Sequence, residues 1–210
     1  MSLAGTLVEA YNLGASGVQS TTVNGVNFAA FVFPTNGGTT ATSGNFSFTE
    51  SPNILGASNG AGWPAAPFNA LDPSYQTLLS SIGQAGAAGT ITFTLSNLTV
   101  GQSYQFQWWS SLANVNVNRT TQAQHPSDAS FVQLGSNPAG VLGDLGQFAT
   151  GTFTATGATL GIEFIGMANY SFINAVQLRA IPEPAISGVA LSGCALAVGL
   201  WVRRHSRKKT

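Results

Sequence analysis

Between residues 5 and 180 the apolar and polar side chains alternate far more often than they repeat at helical spacing, which predicts strands. Residues 90–97 show this most cleanly: Ile91, Phe93 and Leu95 fall on one face, Thr92, Thr94 and Ser96 on the other. Gly101 turns the chain, and residues 103–109 alternate again, with Tyr104, Phe106 and Trp108 opposite Gln105, Gln107 and Trp109. Residues 1–14 read as the first strand, and residues 148–155, 159–165 and 172–179 as further ones. Asn24-Gly25 suits a type I′ hairpin turn, followed by an apolar strand over residues 26–33. One helix is expected. Asp72 suits its N-cap and Pro73 its first position, Tyr75, Leu78, Leu79 and Ile82 share a face, and Gly83 can end it. That helix would cover one open edge or end of the sheets. Residues 53–69 and 112–129 read as loops. The spacing of strands predicts an all-β, antiparallel sandwich of two packed sheets with one short helix, not βαβ units.

The pattern changes at residue 185. Residues 185–202 (AISGVALSGCALAVGLWV) carry no charge and no proline. As a helix they would span roughly 27 Å, close to a hydrocarbon core of about 30 Å. A buried globular helix is the alternative. Against it stand the absence of a polar stripe, the interfacial Trp201 and the basic cluster that follows at once. Cys194 lies in the middle of this run and reads as a small apolar filler.

Charge divides the chain at the same place. Only 7% of the residues are charged, against roughly 25% in an ordinary soluble domain. Arg203, Arg204, Arg207, Lys208 and Lys209 crowd the end. Residues 1–181 hold two bases, Arg119 and Arg179, and six acids: Glu9, Glu50, Asp72, Asp128, Asp144 and Glu163. A body so poor in cations excludes a basic nucleic-acid binder, and a single cysteine excludes an internal disulfide framework.

Pro182-Glu183-Pro184, then an apolar segment, then an Arg-rich end, resembles the PEP-CTERM sorting signal, and the likeness covers residues 182–209. The resemblance implies export across the inner membrane of a bacterium with two membranes. It also implies recognition by an exosortase, a membrane-embedded cysteine transpeptidase that would cut at the tripeptide. The chain then divides into a β-sandwich domain over residues 1–181 and a sorting signal over residues 182–210. Within the signal, residues 185–202 are a single transmembrane helix in the inner membrane and residues 203–210 a basic tail. The tail stays cytoplasmic by the positive-inside rule, and the prolines hold the tripeptide extended and unpaired. The expected location is an inner-membrane-anchored precursor with its body outside the cytoplasm, then the cell surface or the secreted fraction.

Such a body must be carried across the membrane. Residues 1–14 (MSLAGTLVEAYNLG) have neither the basic start nor the apolar run of a signal peptide. A signal upstream of Met1 is the first explanation, ahead of a shortened sequence or a cytosolic tail-anchored protein. The body itself is similar to the jelly-roll modules of PEP-CTERM proteins and to galactose-binding-like jelly rolls. The resembling stretches are residues 22–28 (TVNGVNF), 74–82 (SYQTLLSSI), 97–107 (NLTVGQSYQFQ), 119–121, 151–155 (GTFTA) and 174–179 (NAVQLR). Such modules mostly carry no assigned activity.

Catalytic chemistry finds little support. His125 is the one histidine outside the tail, there is no GxSxG, and no zinc spacing is present. No catalytic residue, metal site or cofactor is expected. A glycan-active enzyme would need two carboxylates some 5–10 Å apart. Glu9 and Glu163 read as solvent-facing strand residues, while Asp128 and Asp144 sit in loops that would suit oxygen-ligated Ca²⁺ without any supporting spacing. The leading expectation is an exported surface or matrix protein without catalytic activity. The alternative is a carbohydrate-binding module with exopolysaccharide as its partner. For that alternative, Trp109 would lie outside with Gln105 and Gln107 as an aromatic platform flanked by amides, or else be covered by the 112–129 loop. Trp63, between Gly62 and Pro64, is a second exposed aromatic. Arg119 either organises its loop through its donors or binds a uronate or sulfate.

Overall fold

The computed structural model describes residues 5–33, 39–51, 56–85, 89–127, 130–167 and 170–182. In chain order the first elements are β1 (Thr6–Gly14), β2 (Thr21–Val23), β3 (Val26–Val32), β4 (Thr40–Ser43), β5 (Phe46–Ser51) and β6 (Gly56–Ser58). A 3₁₀ turn, η1 (Phe68–Ala70), and one helix, α1 (Pro73–Leu79), lead into β7 (Ile82–Gln84), β8 (Thr90–Leu95) and β9 (Ser103–Ser110). The rest is β10 (Thr120–Gln124), β11 (Phe131–Gly135), β12 (Gln147–Thr154), β13 (Leu160–Gly166), β14 (Phe172–Ile173) and β15 (Ala175–Ala180).

Two six-stranded sheets form a β-sandwich. The first runs β12-β9-β15-β1-β3-β2, the second β11-β10-β13-β8-β5-β4, and β14-β7-β6 make a small third sheet. The pairing departs from a purely antiparallel scheme at one place: β1 and β3 run parallel, Tyr11 beside Ala29 through Gly14 beside Val32. β1 also pairs with β15, from Thr6 opposite Ala180 to Asn12 opposite Ala175.

Alternation built the core. In β8, Ile91, Phe93 and Leu95 are buried while the threonines between them are half-buried. In β9, Tyr104, Phe106 and Trp108 join the inter-sheet cluster. Phe46, Phe48, Phe93, Phe106 and Phe164 meet there as edge-on, tilted or stacked pairs with centroids 4.6–6.2 Å apart. Such contacts add to the area they bury. The expected hairpin turn is present: Asn24 has φ 50° and Gly25 φ 77°, the left-handed pair that a type I′ turn requires.

The helix starts as its cap predicts, with the Asp72 carboxylate accepting from the Ser74 amide at 2.8 Å. It stops earlier than expected. Ser80 is the C-cap, Ile82 and Gly83 belong to β7, and a Cβ on Gly83 would stand 2.7 Å from the Phe33 ring. The glycine is there for close packing, not for ending a helix. α1 lies against the edge strand β2, where the Thr21 hydroxyl donates to the Ser74 carbonyl at 3.0 Å, and it reaches from there onto the sheet. Leu78 and Leu79 lie on the outer face of the first sheet, packed with Phe28, Trp109 and Ala175. The 112–129 stretch, read as a loop, contains β10, an internal strand of the second sheet. Its TTQAQ sequence turns only Thr121 and Ala123 inward and lacks the large residues that mark a strand. Residues 53–69 likewise hold β6 and the start of η1.

Candidate functional site

The outer face of the first sheet is covered along one half by α1 and η1 and left polar along the other. Its polar half is built by register. β9 places Gln105 opposite Arg179 and Gln107 opposite Gln177 of β15. On its other side β9 places Thr150 opposite Gln107 and Thr152 opposite Gln105 of β12. Directly opposed residues point to the same side of a sheet, so three glutamines, one arginine and two threonines form one patch. Several of its polar atoms lack a partner although buried: Gln105 Oε1, Gln177 Nε2 and Arg179 Nε. Arg179 uses Nη1 to donate to the Gly5 carbonyl at 2.8 Å. Unpaired buried polar atoms are uncommon in folded proteins.

Trp109 lies on this face, as alternation predicts, with Gln107 beside it. The exposed platform expected there is corrected by the burial of both side chains. Trp109 is 5% exposed and Gln107 8%. The cover comes chiefly from α1, with Ala113 of the 112–129 stretch buried in the same cluster. Trp109 Nε1 donates to the Tyr75 hydroxyl at 3.1 Å, and its ring meets Phe28 edge-on at 5.5 Å. Burial pushes the Tyr75 pKa above the ordinary phenol value, and the bond from Trp109 acts in the opposite sense. The exposed aromatic is one strand away. Phe148 stands opposite Trp109 in the β12–β9 ladder, its ring 6.3 Å from the indole, and is 57% exposed. The alternation of Phe148, Thr150 and Thr152 was visible in the sequence; that this face is the open one was not.

The remaining expected residues fall elsewhere. Trp63 is half-buried and packs against the same cluster as Trp109, so it is not a free exposed ring. The Arg119 guanidinium lies 4.9 Å from the Tyr170 ring centre and 5.7 Å from that of Phe172, and its carbonyl accepts from the Ser136 amide. His125 is exposed, with Nδ1 facing the Ser127 amide and hydroxyl.

The acids are separately engaged. Glu9, half-buried in β1, accepts from the Asn45 amide through both oxygens and so holds the β4–β5 turn. Glu163 accepts from Gln124 Nε2, and Asp144 accepts from the Ala139 and Leu145 amides. Glu50, opposite Ile91 in the β5–β8 ladder, is buried on the core side, where sequence reading assigned it no role. No cluster of three or more potential metal ligands occurs among the described residues. Asp128 lies outside them.

Two shallow grooves of about 410 Å³ flank α1. One lies against Thr22, Asn24, Asp72 and Tyr75; the other against Asn12, Gln19, Asn59 and Gln76. Asn12 and Asn59 are already committed to backbone partners of the 15–19 turn.

At the C-terminal end, the Ile181 amide donates to Ser103 O, and Pro182 follows, exposed. Glu183, Pro184, the 185–202 segment and the basic residues Arg203, Arg204, Arg207, Lys208 and Lys209 lie outside the described residues. No helix among the described residues is long and apolar enough to cross a membrane.

No protein-family model and no curated protein matches the sequence. Among solved structures, Bacteroides uniformis β-glucuronidase 2 covalently bound to cyclophellitol-6-carboxylate aziridine aligns with 11% identity over 83% of this chain and a TM-score of 0.52. A calcium-binding mutant of the same enzyme gives 12% identity and 0.52, and another Bacteroides uniformis β-glucuronidase structure 11% and 0.50. This chain spans 18% of the length of each. What the residues and these likenesses establish together is a fold: the chain is a two-sheet β-sandwich.

Proposed function

We propose that the chain is an exosortase-sorted surface or matrix protein whose jelly-roll-like sandwich binds polysaccharide without catalysis. The observation that carries the binding reading is the polar patch beside Phe148. Sugars are held by an aromatic face and by directional amides and hydroxyls, and this face offers exposed Phe148, Thr150 and Thr152 with half-buried Gln105, while Gln107 and Gln177 lie buried beneath. Arg179 adds a cation at its edge. Sorting rests on Pro182-Glu183-Pro184, the 185–202 segment as an inner-membrane helix, and the basic tail.

Retention on immobilised polysaccharide tests the site. We expect retardation of the protein on a uronate polymer such as alginate, or on a neutral glucan such as dextran. Phe148→Ala and Gln105→Ala are each expected to weaken it about tenfold, the scale of one lost stacking or hydrogen-bonding contact. Phe148 is exposed, so its loss leaves stability nearly unchanged. Equal retention of wild type and both variants would remove the site. A Glu163→Gln variant reads the competing glycan-hydrolysing activity: reducing ends released by wild type and not by the variant would establish an enzyme instead.

A further inference from the structure

The ends of the two large sheets are unequal. β2 has three residues, β4 four and β11 five, but β12 has eight. β12 pairs with β9 along its whole length without a register shift, and among the described residues no strand follows it in the sheet. An edge strand presents a row of unpaired N–H and C=O groups, which proteins usually blunt by short length, charge, proline or a bulge. β12 (QFATGTFT) has none of these, and its side chains are exposed at all but Ala149 and Phe153. A Cβ on Gly151, at mid-strand, would meet nothing within 4 Å. β11 lies alongside, linked by the Gly135 amide to Gln147 Oε1, and exposes Phe131 at 56% and Val132 at 49%. Neither strand carries an ionisable residue.

We propose that a second copy of this chain adds its own β12 to this edge, antiparallel, about a two-fold axis through Gly151. The first sheet of one copy would then continue into the first sheet of the other. This register pairs Thr150 with the partner's Thr152 and Ala149 with the partner's Phe153. Residues of like parity then face each other, so core faces stay together and outer faces stay together. Threonine pairs across strands are favourable, and glycine at the axis admits the closest approach. A second copy is the fitting occupant because the edge is uncharged. Two copies meet without repulsion, whereas a charged partner strand gains nothing there. The proposal does not depend on polysaccharide binding, and Phe148 keeps its outer face in the pair.

Cross-linking and sedimentation of the full chain in mild detergent test it. Directly opposed antiparallel residues stand about 4.5–5.5 Å apart at Cα, inside the range of about 4.4–6.8 Å that a disulfide spans. In a Cys194→Ser background, Gly151→Cys is expected to form a covalent dimer on mild oxidation, while Thr42→Cys on β4 stays monomeric. Without the cysteine change, the protein should show concentration-dependent dimerisation that Thr150→Lys with Thr152→Lys weakens at least about tenfold through like charges at the axis. Both lysines fall on exposed positions, and an unchanged circular dichroism spectrum certifies their fold. Sedimentation as a monomer at every concentration would overturn the proposal. So would cross-linking of Gly151→Cys no faster than Thr42→Cys, or a dimer indifferent to the lysine pair.

Discussion

Asn174 does more for this fold than any charged residue of the body. It is wholly buried, and Nδ2 donates to the carbonyls of Leu79, Ser81 and Ser111 while Oδ1 accepts from the Ser111 amide. One side chain thus ties the end of α1 and the exit of β9 to the start of β15. Asn174→Ala would strand several buried backbone groups and should cost about 2–4 kcal/mol, read as a lower urea midpoint. Tyr75 ties α1 to Trp109 in a way that depends on pH. Its raised pKa means that the fold favours the neutral phenol. Stability is therefore fully present below the ordinary phenol value near pH 10 and falls as pH climbs through and beyond it. Tyr11 is shifted the same way, chiefly by desolvation, and adds to that slope. Tyr75→Phe should flatten part of the alkaline loss. It should also cost about 1–2 kcal/mol at neutral pH, because the buried indole N–H loses its acceptor.

At the scale of elements, α1 is a lid over the indole. Removing its cap by Asp72→Ala should cost about 1 kcal/mol. Loosening of the lid would show as a red shift of tryptophan fluorescence, from Trp109 reaching water. The sequence was legible where large residues alternate: β8 and β9 could be placed, and Trp109 assigned to its face, from the chain alone. β10 was hidden because its inward residues are Thr121 and Ala123, too small to register as a hydrophobic period. β5, with Phe46 and Phe48 two apart, carries a usable alternation. Which outer face stays open was beyond reach, since nothing local links residues 73–79 to Trp109 some thirty positions on. Hence the exposed aromatic was sought at Trp109 and lies at Phe148. The parallel β1–β3 pair was hidden for the same reason, because strand direction is a property of partners that one strand cannot state.

For the whole molecule the prediction concerns sidedness. If residues 203–209 remain in the cytoplasm, protease added to that face should shorten the precursor by only its last few residues and spare the sandwich. Neutralising the five basic residues should relax that protection and impair sorting. Digestion of the sandwich from the cytoplasmic side would mean a tail-anchored cytosolic protein. The proposed attachment also has a mechanical side. β15 is an interior strand, held by β9 on one flank and β1 on the other, and among the described residues the last backbone tie, Ile181 to Ser103, comes just before Pro182. A pull on anything fastened beyond Pro182 therefore runs along the axis of β15. It loads the hydrogen bonds of both flanking ladders together, in shear, whereas an edge strand would let them peel one at a time. If the chain is fastened beyond Pro182, the sandwich hangs by an interior strand and should resist a steady pull better than one hung by an edge strand.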